Sequence, residues 1–430
     1  MTRRRGSAEA VDRGPSLVGE EYQVEVGPVA HGGHLVARHE GRVLFVRHAL
    51  PGERVTVRVT EGQQRSRFLR ADAVRVHEAS PDRVEPPCPY AGPGRCGGCD
   101  FQHVAVPAQR DLKAAVVREQ LQRLARLDVP VTVEAVPAVP GQGDGLGWRT
   151  RVQYAVAPDG RPGLRRHRSH EVVPVDHCRI AHPDLPPVTD RTWPDAAYVE
   201  AIVSGTGERL RLVQADGSRP GEVQVEVDGP EVLHEFAAGR SWQVSGSGFW
   251  QVHPAAADTL ADAVAQGAQA RPGERALDLY SGVGLFSAGL ARDVGPDGEV
   301  VSVESDAVAV ADAAANLADL PQVTLLRDRV DRALRRGRCG DRADVVVLDP
   351  PRTGARAAVV RAIAALAPRV VVYVACDPAA LARDVAGFTE HGYNLDRLRA
   401  FDLFPMTHHV ECVAVLTAAD RPARPGFPKV

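Results

Sequence analysis

The segment DLYSGVGLF (278–286) decides the fold, because it joins a predicted strand to a predicted helix through Gly282 and Gly284. Glycine allows a tight turn and lets the backbone approach a ligand closely. From about residue 241 onward, strand-like apolar runs alternate with helical ones, which is typical of a βαβ domain with a parallel sheet. The predicted strands are 275–279, 299–304, 323–328, 343–349, 370–375, 396–404 and 409–416, and the predicted helices lie near 285–292, 306–318, 355–367 and 379–391. The sequence therefore predicts an α/β, Rossmann-like domain over residues 241–418.

Acidic residues at the ends of the first three strands indicate which cofactor this domain binds. Asp278 stands directly before the glycine turn, and Ser287 leaves the dinucleotide pattern G-x-G-x-x-G incomplete. A carboxylate at that position would repel a pyrophosphate, but it suits a cofactor that carries a sulfonium and an amino group. Glu304 ends the second strand, where it can accept both ribose hydroxyls, and Asp328 ends the third, where it could meet an adenine ring. Together these acids favour S-adenosylmethionine (SAM) over NAD.

Two further strands end in residues that could carry out chemistry. Asp349 begins the turn DPPR (349–352), and Cys376 lies in ACDP (375–378), at the same predicted edge of the sheet. A lone cysteine is usually an ordinary buried residue, but a strand end before a proline-led helix favours a reactive thiolate. Glu411 begins the last strand. If that strand runs antiparallel to the others, its carboxylate faces Cys376.

These groups are what methylation of uracil at carbon 5 requires. That carbon can attack a methyl sulfonium only after a thiolate has added to C6. A base must then remove the C5 proton so that the cysteine is expelled. Cys376, Glu411 and bound SAM would supply these functions, while Asp349 could accept the uracil N3–H. A uracil within folded RNA would also have to be flipped out of its stack.

The N-terminal part predicts a small barrel. Residues 1–19 are expected to be a disordered leader, and short strands over 20–77, separated by Gly and Pro, are typical of a small β-barrel. Between Arg38 and Arg75 the chain has nine arginines against four acids. This excess suits contacts with RNA phosphates, and a solvated barrel surface is the equally good alternative.

Residues 78–240 predict a mostly β central domain with a cysteine cluster. A helix over 104–128 could pack on the catalytic domain. The basic loop RPGLRRHRSH (161–170) is a candidate for contacts with an RNA backbone or a plain exposed loop. The last residues, 419–430, are expected to form a tail.

Composition favours a reducing compartment and excludes a membrane-spanning chain. The 430 residues carry a formal net charge of −3, so an RNA partner would need basic residues gathered on one face. No apolar run of about 18 residues exists, and the N-terminus lacks the apolar core of a secretory signal. Seven cysteines without an export signal argue against a disulfide framework. We therefore expect a cytoplasmic protein, with a monomer as the default oligomeric state.

Five motifs resemble, in the same order, those of the bacterial RNA 5-methyluridine methyltransferases, which act on ribosomal and transfer RNA: FWQVH (249–253), DLYSGVG (278–284), VVVLDPPRTG (345–354), YVACDP (373–378) and FPMTHHVE (404–411). The resemblance covers residues 20–417. It implies that SAM is held or bordered by Gln251, Tyr280, Glu304 and Asp349, that Cys376 is the nucleophile, and that Glu411 is the general base. The N-terminal barrel resembles a TRAM domain, an RNA-binding module, which favours a binding role for its arginines.

Some members of this family also carry a [4Fe–4S] cluster, and four cysteines match its ligands: Cys88, Cys96, Cys99 and Cys178. Thiolates suit iron–sulfur, although four cysteines could equally bind zinc. The spacing does not fit a radical-SAM cluster, so the resemblance implies a structural cluster that orients RNA. Together with the TRAM-like barrel, these ligands favour 23S ribosomal RNA over transfer RNA as the substrate.

Two positions depart from the family pattern, and two other functions fit part of the sequence. His253 stands where the family usually has Asn, and Asp377 follows the nucleophile where Asn is common. RNA 5-methylcytosine formation needs the same addition to C6, but cytosine has no N3–H for Asp349 to accept. A non-catalytic RNA-binding or ribosome-assembly protein would have no need of Cys376 and Glu411.

Overall fold

The computed structural model describes residues 14–215 and 227–419. Its first unit is a closed five-stranded barrel. Its strands are β1 (Glu21–Val29), β2 (Leu35–His39), β3 (Arg42–Arg47), β4 (Arg54–Glu61) and β5 (Phe68–Glu78), in the order β1-β2-β3-β5-β4. Alternate side chains point inward, so that Leu44 and Val46 of β3 are fully buried. Of the predicted leader, residues 1–13 lie outside the described residues. The leader's last part differs from the expectation, because the amides of Leu17 and Gly19 donate to barrel carbonyls.

A single helix connects the barrel to the catalytic domain. This helix, α1 (Val106–Gln120), is followed by one π-helical turn and the two-residue strand β6 (Val133–Glu134). One side of α1 packs into the barrel core through Leu112 and Val116, and another side packs into the catalytic core through Val117. Helix α1 therefore belongs to both cores and fixes the barrel relative to the catalytic sheet.

The central region is built on an antiparallel six-stranded sheet of order β12-β11-β10-β7-β8-β9. Its strands are β7 (Arg151–Val156), β8 (Pro162–Arg165), β9 (Val172–Pro174), β10 (Ala196–Val203), β11 (Arg209–Ala215) and β12 (Val227–Asp228). A separate hairpin, β13 (Val232–Ala237) and β14 (Arg240–Ser245), follows. Trp242 of this hairpin is fully buried in a cluster that includes Val283 of the glycine turn. The hairpin thus supports the turn from behind.

The C-terminal domain is the α/β unit that the sequence predicts. Its elements are α2 (Ala256–Ala268), β15 (Arg275–Leu279), α3 (Leu285–Val294), β16 (Glu299–Glu304), α4 (Ala307–Asn316), β17 (Val323–Arg327), α5 (Val330–Arg335), β18 (Val345–Leu348), α6 (Arg356–Ala365), β19 (Val370–Ala375), α7 (Pro378–Glu390), β20 (Tyr393–Phe401) and β21 (Glu411–Ala418). The sheet order is β17-β16-β15-β18-β19-β21-β20-β6, with β21 antiparallel to both neighbours. The fold class predicted from the sequence, a Rossmann-like domain with a small barrel and a mostly β central part, is confirmed.

All seven cysteines have free thiols. In the ranges 14–215 and 227–419, no helix has both the length and the apolar character needed to cross a membrane.

Candidate active site

The glycine turn between β15 and α3 is held in a backbone conformation that few side chains allow. Tyr280, Gly282 and Gly284 have φ angles of 64°, 53° and 97°. The amides of Tyr280 and Ser281 donate to the carbonyl of Val303 at 2.9 and 3.2 Å, which ties the turn to β16. A Cβ on Gly284 would lie 2.7 Å from the Leu317 side chain, so that only glycine fits there. The turn therefore brings backbone amides to the carboxyl edge of the sheet.

Asp278 and Glu304, two of the acids expected at the cofactor site, meet this turn. Asp278 is fully buried, and its Oδ2 accepts a hydrogen bond of 2.6 Å from the Ser287 hydroxyl. Burial raises the pKa of Asp278 to about 7. Its Oδ1 is buried and makes no hydrogen bond to any described residue, so a donor is missing where SAM would bind. Glu304 accepts from the Gly282 amide at 3.1 Å, which places its carboxylate at the turn.

Two other residues predicted to bind the cofactor have less direct positions. The Asp328 carboxylate accepts hydrogen bonds from the Arg329 amide, from Arg332 and, at 2.8 Å, from Arg338. Burial alone would raise the pKa of Asp328, but these bonds lower it to about 2. An adenine amino group would have to share an oxygen with these donors. Gln251 lies just before α2, next to Trp250, which packs on the cluster that holds the glycine turn.

The predicted nucleophile and base lie opposite each other at the same edge of the sheet. Strands β19 and β21 are antiparallel, with Ala375 paired to Cys412. Continuing this register by one residue places Cys376 opposite Glu411, although the two are distant in sequence. The carboxylates of Glu411 and Asp349 both raise the pKa of the Cys376 thiol, which shows that the three groups interact. The antiparallel closing strand, predicted from the sequence, is confirmed.

Burial dominates the ionisation of these three groups. It raises the pKa of Asp349 and of Glu411, and the negative charge of a neighbouring carboxylate raises both further. Burial and the two carboxylates together raise the pKa of Cys376 to about 12. Desolvation and like charge thus favour the protonated thiol, and the predicted effect of the start of α7 acts in the opposite direction. Arg352 is the nearby charge that also favours the thiolate.

The residue after the nucleophile links the catalytic domain to the barrel. Asp377 caps α7 by accepting from the Ala380 amide at 2.7 Å. Its other oxygen lies 2.9 Å from Nε2 of His31, in the loop between β1 and β2. Asp377 raises the pKa of His31, so this pair gains strength where the histidine is protonated. The other departure from the family pattern, His253, is buried against the ring of Trp148.

The structure adds supporting residues that sequence reasoning missed. Asp384 of α7 accepts hydrogen bonds from the Ala355 amide and the Tyr373 hydroxyl, at 2.7 Å each, and so fixes the loop that follows Asp349. Asp100 accepts from His408 at 2.6 Å, which anchors the segment before the predicted base. Asp384 is 29 residues from Ala355 and 11 from Tyr373, and Asp100 is 308 residues from His408. No local signal predicts contacts over such separations.

The four cysteines matched to a metal cluster converge in the central region. Cys88, Cys96, Cys99 and Cys178 all line one cavity of about 230 Å³. Within the described ranges, however, no group of three or more His, Cys, Asp or Glu side chains is arranged so that it could hold a metal ion. The structure thus shows that the thiols come together, and it does not itself show a metal centre.

The arginines of the barrel do not form one free basic stripe. Arg58 and Arg75 both bind Glu21, at 2.8 and 2.9 Å, and Arg54 pairs with Glu78. Surface ion pairs of this kind contribute little to stability, but they reduce the positive field on that face of the barrel.

Comparisons with known proteins agree with this architecture. A family model described as the TRAM domain matches residues 15–74, and one described as tRNA (Uracil-5-)-methyltransferase matches residues 241–419. The chain is 52% identical to an uncharacterized RNA methyltransferase of Streptomyces coelicolor, over 96% of each chain. It is 39% identical to another from Bifidobacterium longum, over 92% of this chain and 97% of the relative.

A solved structure shows the same fold along most of the chain. It is the tRNA (uracil-54, C5)-methyltransferase of Pyrococcus abyssi in complex with S-adenosyl-L-homocysteine, with a TM-score of 0.67 and 23% identity. The match covers 91% of this chain and 99% of that one. The family models, the full-length relatives and the architecture lead to one conclusion: the chain belongs to the SAM-dependent RNA (uracil-5-)-methyltransferase family, with an N-terminal TRAM domain.

Proposed function

We propose that this enzyme methylates C5 of a uridine in RNA through a covalent adduct between Cys376 and C6 of the base. The observation that carries the proposal is the register of β19 and β21, which sets Cys376 opposite Glu411. The glycine turn and Asp278 lie at the same carboxyl edge of the sheet, where ligands of open α/β sheets bind. Nucleophile, base and methyl donor therefore have one place at which to meet.

Each of the three groups has a defined task in this reaction. The Cys376 thiol gives its proton to solvent, and the sulfur forms a bond to C6, which pushes an electron pair through C5 onto the O4 oxygen. As that pair returns to C5, this carbon forms a bond to the methyl group that SAM would supply, and S-adenosylhomocysteine would be left. Glu411 then removes the proton from C5, and the returning electron pair breaks the bond between sulfur and C6. Asp349 accepts the N3–H and holds the ring in place throughout.

The raised pKa of Glu411 suits its task. A carboxylate at its ordinary pKa is a weak base near neutral pH, whereas burial and the charge of Asp349 raise the pKa of Glu411 well above the usual range. A carboxylate with a higher pKa holds a proton more strongly, so deprotonated Glu411 is a stronger base towards the C5 proton than an exposed glutamate.

The test is a methyl-transfer assay with unmodified 23S ribosomal RNA and unmodified transfer RNA, in which the product nucleoside is identified by mass spectrometry. We propose 23S ribosomal RNA as the substrate, and the combination of a TRAM barrel with four converging thiols supports it. Formation of 5-methyluridine in 23S RNA is the expected result. Its formation in transfer RNA alone would change the substrate, and 5-methylcytosine in either RNA would contradict the reaction.

The expected thiol chemistry gives a prediction about pH. Because the pKa of Cys376 is raised to about 12, its thiolate fraction, and hence its alkylation rate, should increase about tenfold per pH unit. We expect this increase to continue from pH 7 to about pH 10 in the RNA-free protein. The measurement is iodoacetamide labelling of Cys376, followed by mass spectrometry of its peptide. A plateau below pH 9 would show that the free enzyme already stabilises the thiolate.

We further propose that the four converging thiols bind an iron–sulfur cluster. A single zinc ion holds thiolates at about 2.3 Å, so its ligands must lie close together. Thiols placed around a cavity suit a larger cluster better. Cys99 directly precedes Asp100, whose bond to His408 reaches the segment before Glu411. The cluster would thus stiffen a connection to the active site, with no part in the reaction.

Metal analysis decides this second proposal. Protein purified without oxygen should be brown and contain close to four iron and four sulfide per chain. A Cys99→Ser variant should lose most of both, while the Cys339→Ala variant, which changes a buried cysteine outside the cavity, should keep them. Colourless protein with one zinc per chain would show that the thiols bind zinc instead of a cluster. Protein without metal would show that the thiols line a cavity and bind neither.

A further inference from the structure

A second cavity lies between the barrel and the basic loop that follows β8. Its volume is about 340 Å³, and its lining combines rings and cations: His34, Phe45, Arg47, Arg70, His167 and Arg168. Glu61 and Asp72 also border it, so the cations are in excess. We call it the barrel pocket. It is distinct from the catalytic edge of the sheet and from the cavity that the four thiols line.

Two lining residues of the barrel pocket, Phe45 and Arg70, continue beyond its edge into an aromatic platform at the surface, which is completed by Phe68. Phe45 packs edge-to-face on Phe68, with ring centroids 5.3 Å apart. The guanidinium of Arg70 lies 5.7 Å from the Phe45 ring and 5.4 Å from the Phe68 ring. Phe68 is 41% exposed, so its ring is accessible to a base from outside. Rings and guanidinium planes of this kind stack on the bases of single-stranded RNA.

Three buried nitrogen atoms of the same pocket make no hydrogen bond within the described part of the chain: two guanidinium donors and one histidine nitrogen, whose role depends on the tautomer. Arg47 Nη2, Arg70 Nε and His167 Nε2 are buried and make no hydrogen bond to any described residue. Their nearest acids are not well placed, since Arg47 Nη2 is 3.7 Å from Asp100 and Arg70 Nε is 3.3 Å from Glu61. Buried donors normally find acceptors. A phosphate or a base edge inside the pocket would supply them.

The loop between β1 and β2 connects the barrel pocket to the catalytic residues. His34, at one end of this loop, lines the pocket, while His31 bonds Asp377, the neighbour of the nucleophile. Gly33 packs so closely on His408 that a Cβ would lie 2.5 Å from that side chain. Three residues span at most about 10 Å. The pocket is therefore only a few nucleotides away from a uridine bound at Cys376.

We propose that the barrel pocket binds one unpaired nucleotide of the RNA strand that flanks the target uridine. The base stacks on the platform of Phe68, Phe45 and Arg70, and its phosphate accepts from Arg47 and Arg168. The proposal rests on the proposed function in one respect only, namely that the ligand is RNA. Binding at this pocket would fix the distance along the RNA between this nucleotide and the target uridine.

The test uses binding alone, so that it does not depend on methyl transfer. The probe is a fluorescein-labelled single-stranded oligouridine of 12 nucleotides, measured by fluorescence anisotropy at fixed salt. Phe68→Ala should weaken binding by about 5- to 100-fold, because stacking on an aromatic ring contributes strongly for every base. The matched control is Phe236→Ala, which removes a 64% exposed phenyl ring from β13 and should leave the affinity within twofold of wild type.

A second pair of variants separates phosphate contact from general charge. Arg47→Gln, which removes a proposed phosphate contact on β3, should make the salt dependence of log K shallower by about 0.7, the value for one phosphate contact on a single strand. Arg54→Gln, also on the barrel but paired with Glu78, should leave the slope unchanged. If both variants change the salt slope equally, the RNA is held by diffuse attraction to the barrel, and the proposal of a binding pocket is wrong.

Cross-linking of the wild-type protein guards against misfolded variants. Oligouridine that carries 4-thiouridine should, on irradiation, label peptides of β3 and β5, which contain Phe45 and Phe68. Labelling confined to other strands, or no binding of oligouridine at all, would contradict the proposal. If Phe68→Ala loses affinity while no 5-methyluridine forms in any RNA, the pocket stands and the proposed reaction fails. If 5-methyluridine forms and Phe68→Ala binds like wild type, the pocket fails alone.

Discussion

Replacement of Cys376 by alanine should lower methyl transfer by on the order of 10⁴-fold or more, since no other group can form the bond to C6. The affinity for S-adenosylhomocysteine, measured by calorimetry, should remain within about threefold of wild type, because the glycine turn and Asp278 are unchanged. Single-turnover transfer of a radioactive methyl group to unmodified RNA gives the rate. Denaturing gels should show no covalent complex of protein and RNA.

The control for this variant is Cys339→Ala, which removes another thiol buried in the catalytic domain. It is expected to keep methyl transfer within a few-fold of wild type. If Cys376→Ala retains more than a tenth of the wild-type rate while folded, the reaction does not pass through an adduct at this residue.

Replacement of Glu411 by glutamine should trap the covalent intermediate rather than prevent it. The amide has nearly the shape of the carboxylate, so addition to C6 and methylation can still occur, but the C5 proton has no base to accept it. Turnover should fall by roughly 10²- to 10⁴-fold. The RNA adduct, seen as a shifted band on a denaturing gel, should persist for hours and contain the transferred methyl group.

Glu235→Gln is the matched control, because Glu235 is another carboxyl group whose pKa burial raises to about 7, in the central hairpin. It should turn over like wild type and leave no lasting adduct. An adduct of Glu411→Gln that decays as fast as that of wild type would assign the base to another residue, with Asp349 as the nearest carboxylate.

The positions of the long strands along the chain were predictable, because apolar runs with regular spacing carry their own signal. Strands β15, β16 and β19 have the boundaries that the sequence predicts. Strand β6 was not predicted, because two residues are too few to show the alternation of apolar and polar side chains. They form a strand only because they pair with the edge of the sheet at β20. Helix α5 was missed for a similar reason, as its six residues are short and rich in charge.

The candidate site was predictable as far as strand ends could place it. The alternation of strands and helices puts Asp278, Glu304 and Cys376 at one edge, and the antiparallel last strand adds Glu411. The sequence could not predict how desolvation and neighbouring charges at that edge set the pKa of the catalytic groups. The start of α7 suggested a thiolate, but desolvation and two carboxylates decide the ionisation of Cys376, and both depend on packing between distant segments.

Helix α1 packs into the barrel core and into the catalytic core, and the ribosome synthesises these two parts at different times. Strand β6 must wait for β20, whose first residue, Tyr393, follows Glu134 by about 260 residues, and the inner face of α1 must wait for α7, which directly precedes β20. At 5–20 residues per second, that interval lasts roughly 13 to 50 seconds. During this time the apolar side chains of Val117 and Leu121, which end fully buried, have no partner from the catalytic domain. Between the completion of the barrel and the synthesis of the last two strands, the nascent chain therefore exposes the kind of apolar surface that favours aggregation.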